Sequence, residues 1–326
     1  MKKINSSLAQ SLLAGDRIAL AKAITLVESA SPRHHREAQK IIDEILPYTG
    51  KSIRVGVTGV PGAGKSTFIE ALGNFLISKK KRKVAVLAID PTSTVSKGSI
   101  LGDKTRMESL ARNENAFIRP SPSAGVPGGV AAATRESILL CEAAGYDVIF
   151  VETMGVGQSE TAVHSMVDFL LLLLLPGAGD ELQGMKRGIV ELADLLAVNK
   201  ADGGNLQKVK LAQAAYKQAL RLFPPNENGW KPDVVTCSAL TGDGIPQIWK
   251  RIEDFEKLTK ANRWFHVKRQ EQSRQWLRER VLETVIKQLR ENPKLKKKFT
   301  ELERQVENGK MSVISATRAL VMSFTE

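Results

Sequence analysis

Gly59, Val60, Pro61, Gly62, Ala63, Gly64, Lys65 and Ser66 follow the pattern glycine, four variable residues, glycine, lysine, serine. A phosphate chain is crowded with negative charge, so its site must present many donors and few obstructing side chains. Glycines let the backbone curl until successive N–H groups point inward, and a helix that follows adds its positive N-terminal end. Lys65 is placed to reach the β- and γ-phosphates and Ser66 to ligate Mg²⁺. An apolar run, Ile53 to Val57, precedes the loop, and a helix-compatible stretch from Thr67 to Ile77 follows. That strand–loop–helix context separates a phosphate loop from an accidental glycine-rich turn.

A second group reads the ring. Asn199, Lys200, Ala201 and Asp202 follow the apolar run Leu195 to Val198. Guanine presents N1–H and N2–H₂ donors on one edge, and a carboxylate such as Asp202 accepts from both; adenine offers no such pair. Asn199 is expected to tie this loop to the phosphate loop, with the Lys200 stem along the base. Ser238, Ala239 and Leu240 come after Val234 and Val235, and a backbone N–H near Ala239 is a candidate donor to guanine O6. Taken alone, either stretch reads as an ordinary strand exit; the phosphate loop upstream turns them into a guanine site.

Acidic residues at other strand ends are candidates for the metal side. Asp90 and Asp103 bound a polar, Gly/Ser-rich loop, and Glu152 ends the run Val148 to Val151. Each is a candidate for Mg²⁺ or its water shell, and Gly155 for a backbone donor to the γ-phosphate. The plainer alternative for such acids is helix capping. Residues 176–187 form a further Gly-rich loop ending in Lys186 and Arg187, which reads as a third switch or simply as a loop.

The elements that must carry these loops alternate. Apolar runs at 53–57, 84–89, 147–151, 168–175, 195–198 and 234–237 are separated by helix-compatible segments, which predicts an α/β domain with a mostly parallel sheet and helices on both faces. Ligands then sit beyond the carboxyl ends of the strands, where all these motifs fall. Residues 1–50 read as an N-terminal helical extension, 51–250 as the phosphate-loop domain, and 251–326 as a C-terminal helical arm broken at Asn292-Pro293 and Asn308-Gly309. An apolar stripe on the arm, including Trp276, Leu277, Val281, Val285 and Leu289, points to a homodimer, with packing back on its own domain as the alternative.

Composition sets the bounds. Hydrophobic residues make 42% and charged residues 25% of 326, an ordinary balance for a water-soluble globular chain. The greasiest run, Phe169 to Leu175, is too short to span a bilayer, and Met1 to Ser7 lacks the apolar segment of a secretory signal. Membrane association is therefore not expected. Cys141 and Cys237 are far apart, which favours a reducing, cytoplasmic location. Of the net charge of +13, +8 falls in residues 250–310. With only 5% aromatics and no RNA-binding signature among the lysines, a solvated or protein-facing surface is expected rather than a nucleic-acid one.

The segments 56–67, 99–107, 119–123, 152–160, 176–184 and 199–202 together resemble the methylmalonyl-CoA mutase-associated GTPases, the MeaB/ArgK/MMAA type of SIMIBI-class P-loop GTPase. The resemblance extends over about residues 10–290. It implies a GTP-hydrolysing chaperone that gates adenosylcobalamin loading of the mutase and protects it, and a homodimer formed through C-terminal helices. It also implies that Asp90, Asp103 and Glu152 surround Mg²⁺ and the γ-phosphate, and that residues 176–187 respond to the mutase. Met154, Thr92 and Lys97 depart from the family's usual residues. No direct cobalamin site is inferred. The competing readings are an ATPase or kinase linked to basic amino-acid transport, against which Asn199 and Asp202 argue, and a metal-insertion GTPase. The latter needs a cluster of soft or imidazole ligands, and the sequence offers only His34-His35.

Overall fold

The computed structural model of the protein describes residues 4–29, 31–89, 107–121, 129–153, 159–177, 187–224 and 226–323. Two compact units divide the chain, Met1–Gln270 and Glu271–Glu326.

The first unit is built on a seven-stranded sheet. Its strands are β1 (Ile53–Gly59), β2 (Val84–Ile89), β3 (Ala116–Ser121), β4 (Val148–Thr153), β5 (Phe169–Leu174), β6 (Leu195–Val198) and β7 (Asp233–Thr236). All pairs are parallel, in the order β3-β2-β4-β1-β5-β6-β7. β2, β4, β5 and β6 are buried along their whole length, the mark of parallel strands covered on both faces. The expected sheet is thus present, with one strand more than the apolar runs disclose. β3 escapes the apolar pattern because Phe117-Ile118 is followed directly by Arg119-Pro120. A proline is tolerated there since β3 lies at the sheet edge, where one side of the strand has no ladder to break.

Helices cover both faces. On one, the helix Lys65–Lys80 and the helix Ile245–Ala261 pack through Phe68, Leu72, Ile248 and Phe255 against Val55, Val57, Phe150 and Phe169. On the other, Ser7–Leu13, Arg17–Glu28, Pro32–Ile45 and Gly129–Ala143 share a core with Ala85, Leu87, Ile149 and Val151. The N-terminal helices therefore contribute to the core of the sheet's second face. A smaller core under β5, β6 and β7 holds Tyr216 and Val209 of the helix Leu206–Leu220.

The helix Trp264–Glu291 begins in the first unit and continues into the second. In the second unit, Asn292 caps the helix Pro293–Glu307 by accepting from the Lys294 and Leu295 N–H groups, with proline at the first helical position, a favoured helix start. Leu295, Leu302 and Ala316 are buried, Ala316 lying in the last helix, Val313–Met322. Leu277, Val281, Leu282, Val285 and Ile286 are exposed. Among the described residues, no helix is long and apolar enough to cross a membrane.

Candidate functional site

The site begins where central β1 turns into a helix. At Gly59 the sheet runs so close that a Cβ would lie 2.3 Å from the Leu173 carbonyl oxygen. Gly64 adopts φ +86°, and a Cβ there would lie 2.8 Å from Asn199 Nδ2. Both positions demand glycine, for closeness and for a positive φ (+149° at Gly59) that residues with a side chain rarely adopt. Helix Lys65–Lys80 starts immediately after Gly64, so its free N–H groups open towards the loop. The buried Lys65 ammonium donates to the carbonyls of Gly59 (2.8 Å) and Val60 (3.2 Å). Backbone carbonyls thereby station a cation inside the loop.

Ser66, on the first turn of that helix, donates to Glu152 Oε1 at 2.8 Å. Glu152 is buried at the end of β4, opposite Val57 of β1. Hydroxyl and carboxylate oxygens are the donors a hard cation prefers. Among the described residues no group of three or more His, Cys, Asp and Glu gathers to hold a metal. Two such oxygens, one hydroxyl and one carboxylate, are a set that could hold Mg²⁺, which is commonly bound by one or two protein oxygens together with substrate phosphates; Ser66 and Glu152 would supply them. On the far face of the same strand ends, buried Thr153 donates its hydroxyl to that of Thr58 at 2.9 Å.

The other end of the site lies after β6 and β7. Buried Asn199 donates through Nδ2 to the Ala63 carbonyl (2.8 Å), and its Oδ1 accepts from the Ala239 N–H (3.0 Å) and from the Cys237 thiol (3.6 Å). Burial pushes the Cys237 thiol up to about 12, so it stays protonated and able to donate. One amide thus joins three loops. Lys200 follows with φ +62°, an uncommon left-handed backbone for a residue with a side chain. It swings the chain so that half-buried Asp202 meets Ser238, whose hydroxyl donates to Asp202 Oδ2 at 2.5 Å and accepts from the Thr241 N–H at 3.1 Å. The Ala239 N–H, offered by the sequence to a purine carbonyl, is used by Asn199; Leu240, next along, is exposed. β1 and β6 are two strands apart, roughly 10 Å, a span bridged by a ribose and the start of a phosphate tail.

The structure therefore brings together Gly59 to Ser66, Glu152, Asn199, Asp202, Ser238 and Ala239, with Thr67 exposed on the helix start. Asp90, Asp103, Gly155 and Lys186 lie outside the described residues. The Thr58–Thr153 pair and the thiol of Cys237 are not evident from the sequence motifs. The available signal is polar side chains at the ends of strands that are otherwise apolar.

A parallel sheet with a phosphate loop after its central strand, and an Asn-Lys-x-Asp loop two strands away, defines a P-loop GTPase. The family model described as "Methylmalonyl Co-A mutase-associated GTPase MeaB" matches residues 20–294, and the chain belongs to that family. It is 49% identical to the GTPase ArgK of Escherichia coli, covering 94% of this chain and 92% of that one. It is 43% identical to the methylmalonic aciduria type A homolog, mitochondrial, of Mus musculus, covering 96% and 78%. A crystal structure described as an LAO/AO transport system kinase superposes with TM-score 0.77 at 41% identity, over the full length of both chains.

Proposed function

We propose that this chain binds GTP with Mg²⁺, hydrolyses it slowly, and uses the cycle as a conformational timer for methylmalonyl-CoA mutase, gating adenosylcobalamin loading and protecting the mutase. The observation that carries the nucleotide reading is Asn199, whose single buried amide ties the phosphate loop at Ala63 to the base loop at Ala239. The mutase reading is supported by the family description and by the name of the mouse relative. No direct cobalamin site is proposed.

In this reading Lys65 and the loop N–H groups hold the β- and γ-phosphates and stabilise charge on the transferring group. Ser66 and Glu152 hold the metal, joined by Asp90 or Asp103. Mg²⁺, when bound, neutralises the phosphate oxygens as a Lewis acid. Asp202 accepts from the guanine edge while Ser238 fixes its carboxylate. Gly155 senses the γ-phosphate. The described site contains no evident general base, so turnover of the isolated protein is slow and the mutase completes the site through Lys186 or Arg187. The exposed face formed by Leu277, Val281, Leu282, Val285 and Ile286 supports a homodimer, and the two free, buried cysteines suit a reducing cytoplasm.

The test is GTP and ATP turnover by the purified chain, alone and with purified mutase, together with sedimentation for the dimer. GTP preference and acceleration by the mutase are expected. ATP preference returns the protein to the transport-kinase reading carried by the name of its structural neighbour. Indifference to the mutase removes the chaperone reading and leaves a generic GTPase.

A further inference from the structure

We infer that the Thr58–Thr153 hydroxyl pair is a positioning element for the metal-side carboxylate, holding the end of β4 against the end of β1 so that Glu152 stays within reach of Ser66. This rests on the Mg²⁺–GTP reading above and adds two residues to it.

Side chains alternate between the two faces of a strand. Phe150 shares the core face of Val57, while Ile149 and Val151 belong to the opposite core. Glu152 therefore faces the phosphate-loop helix, where it meets Ser66. Thr153 faces the other way and meets Thr58. The backbone register between β1 and β4 runs from Ile53↔Val148 to Val57↔Glu152. Past that pair the β1–β4 ladder ends, while β1 stays paired with β5 on its other side through Thr58↔Leu172 and Gly59↔Leu173, and Thr153 stays paired with Ile89 of β2. At the last residue before the site, the link from β4 to β1 is thus a side-chain hydrogen bond rather than a ladder pair. Both threonines are at most 1% exposed. Burying two hydroxyls costs desolvation that two valines of similar shape would avoid, so core filling alone does not account for the choice. The pair sits one peptide bond from Glu152 and on the opposite face, so it acts on the carboxylate through the backbone. Neither threonine is placed to touch a nucleotide.

The experiment titrates Mg²⁺ against the fluorescent ligand N-methylanthraniloyl-GDP bound to the full chain, and measures melting temperature in parallel. Thr153→Val and Thr58→Val are each expected to raise the half-saturating Mg²⁺ concentration about tenfold, the scale of losing a supporting contact behind a metal ligand. Affinity for the same GDP probe in EDTA stays at the wild-type value. Thr153→Ser restores Mg²⁺ dependence. The double variant Thr58→Val/Thr153→Val regains melting temperature, since no hydroxyl is left unpartnered, but keeps the raised Mg²⁺ requirement because the link is absent. A Mg²⁺ requirement that is unchanged, or that follows melting temperature across the set, overturns the inference while leaving the GTPase reading intact. A wild-type chain that binds no guanine nucleotide overturns both.

Discussion

The two poles of the sheet handle charge in opposite ways. At the carboxyl ends of the strands, Lys65 rests on two backbone carbonyls and the loops are shaped by glycines and by the left-handed Lys200. At the amino ends, four charged side chains satisfy one another. Glu142 accepts from Arg54 Nε and Nη2 at 3.0 Å each, from the Ser52 hydroxyl at 2.8 Å and from the Gly50 N–H at 2.8 Å. Asp168 accepts from the Arg54 N–H at 2.8 Å and from Arg269 at 2.8 and 2.7 Å. Arg269 also donates to the carbonyls of Gly50 and Ser52 and stacks on Phe265, 4.4 Å from the ring centre. Burial alone would push the Asp168 carboxyl up, but hydrogen bonds and charge from Arg269, with Arg54, hold it below the ordinary carboxylate range. In the proposed function one pole presents its charge to a ligand; the other satisfies its charge internally.

That contrast can be broken most forcefully at the structural pole. Arg269→Ala leaves buried Asp168 without its main cation, and should cost about 3–5 kcal/mol of stability by chemical denaturation while GTP affinity stays at the wild-type value. A matching loss of affinity would show that the poles are not separate. At the functional pole the signature reverses. Lys65→Ala should lower kcat/KM for GTP by about 10²- to 10³-fold, the scale of losing one charge-stabilising donor, with little change in melting temperature. Asp202→Asn should weaken GTP binding roughly tenfold to a hundredfold, as expected for a lost charged hydrogen bond. It should also improve binding of xanthosine triphosphate, whose ring carries a carbonyl where guanine carries its amino group. Isothermal calorimetry with both nucleotides decides it, and unchanged selectivity would remove Asp202 from base reading.

A further expected effect is confined to acid pH. Burial first, and then the charge of Lys268, push His164 down from 6.5 to about 4. A base with a depressed folded value takes its proton in the unfolded chain first. Its contribution to stability is complete above pH 6.5 and is lost as pH falls through about 4. His164→Gln should flatten the stability profile across that window, with the nucleotide site untouched. Asp168 has the same sign, its contribution being lost only further into acid.

How legible each region is in the sequence follows from the same distinction. The nucleotide pole is written in contiguous residues, because a loop that wraps phosphate must do so with consecutive N–H groups; Gly59 to Ser66 and Asn199 to Asp202 are readable for that reason. β2 and β6 are delimited to the residue by their apolar runs, whereas β4 and β5, equally buried, are met only to within one or two residues, because polar side chains such as Glu152 and Asp168 stand at their ends. The edge strand β3 buries Ala116 and Phe117 and half-buries Ile118 before Arg119 interrupts it, and so leaves too short a run. Glu142, Asp168 and Arg269 are scattered over more than a hundred positions, and only folding brings them together. Glu142, a lone acid between Cys141 and Ala143, is the one hint. The N-terminal helices are legible as helices, but their packing on the sheet depends on surfaces that no periodicity announces.

The amide of Asn199 has a consequence for how a nucleotide arrives. Because the same buried group braces the loop for the tail and the loop for the ring, order gained at one end is shared with the other. Guanosine and pyrophosphate, added as separate molecules, should each raise the other's affinity, and Asn199→Ala should make their occupancies independent. A nucleotide would then hold more tightly than its two halves suggest, and its release would begin by loosening both grips at once.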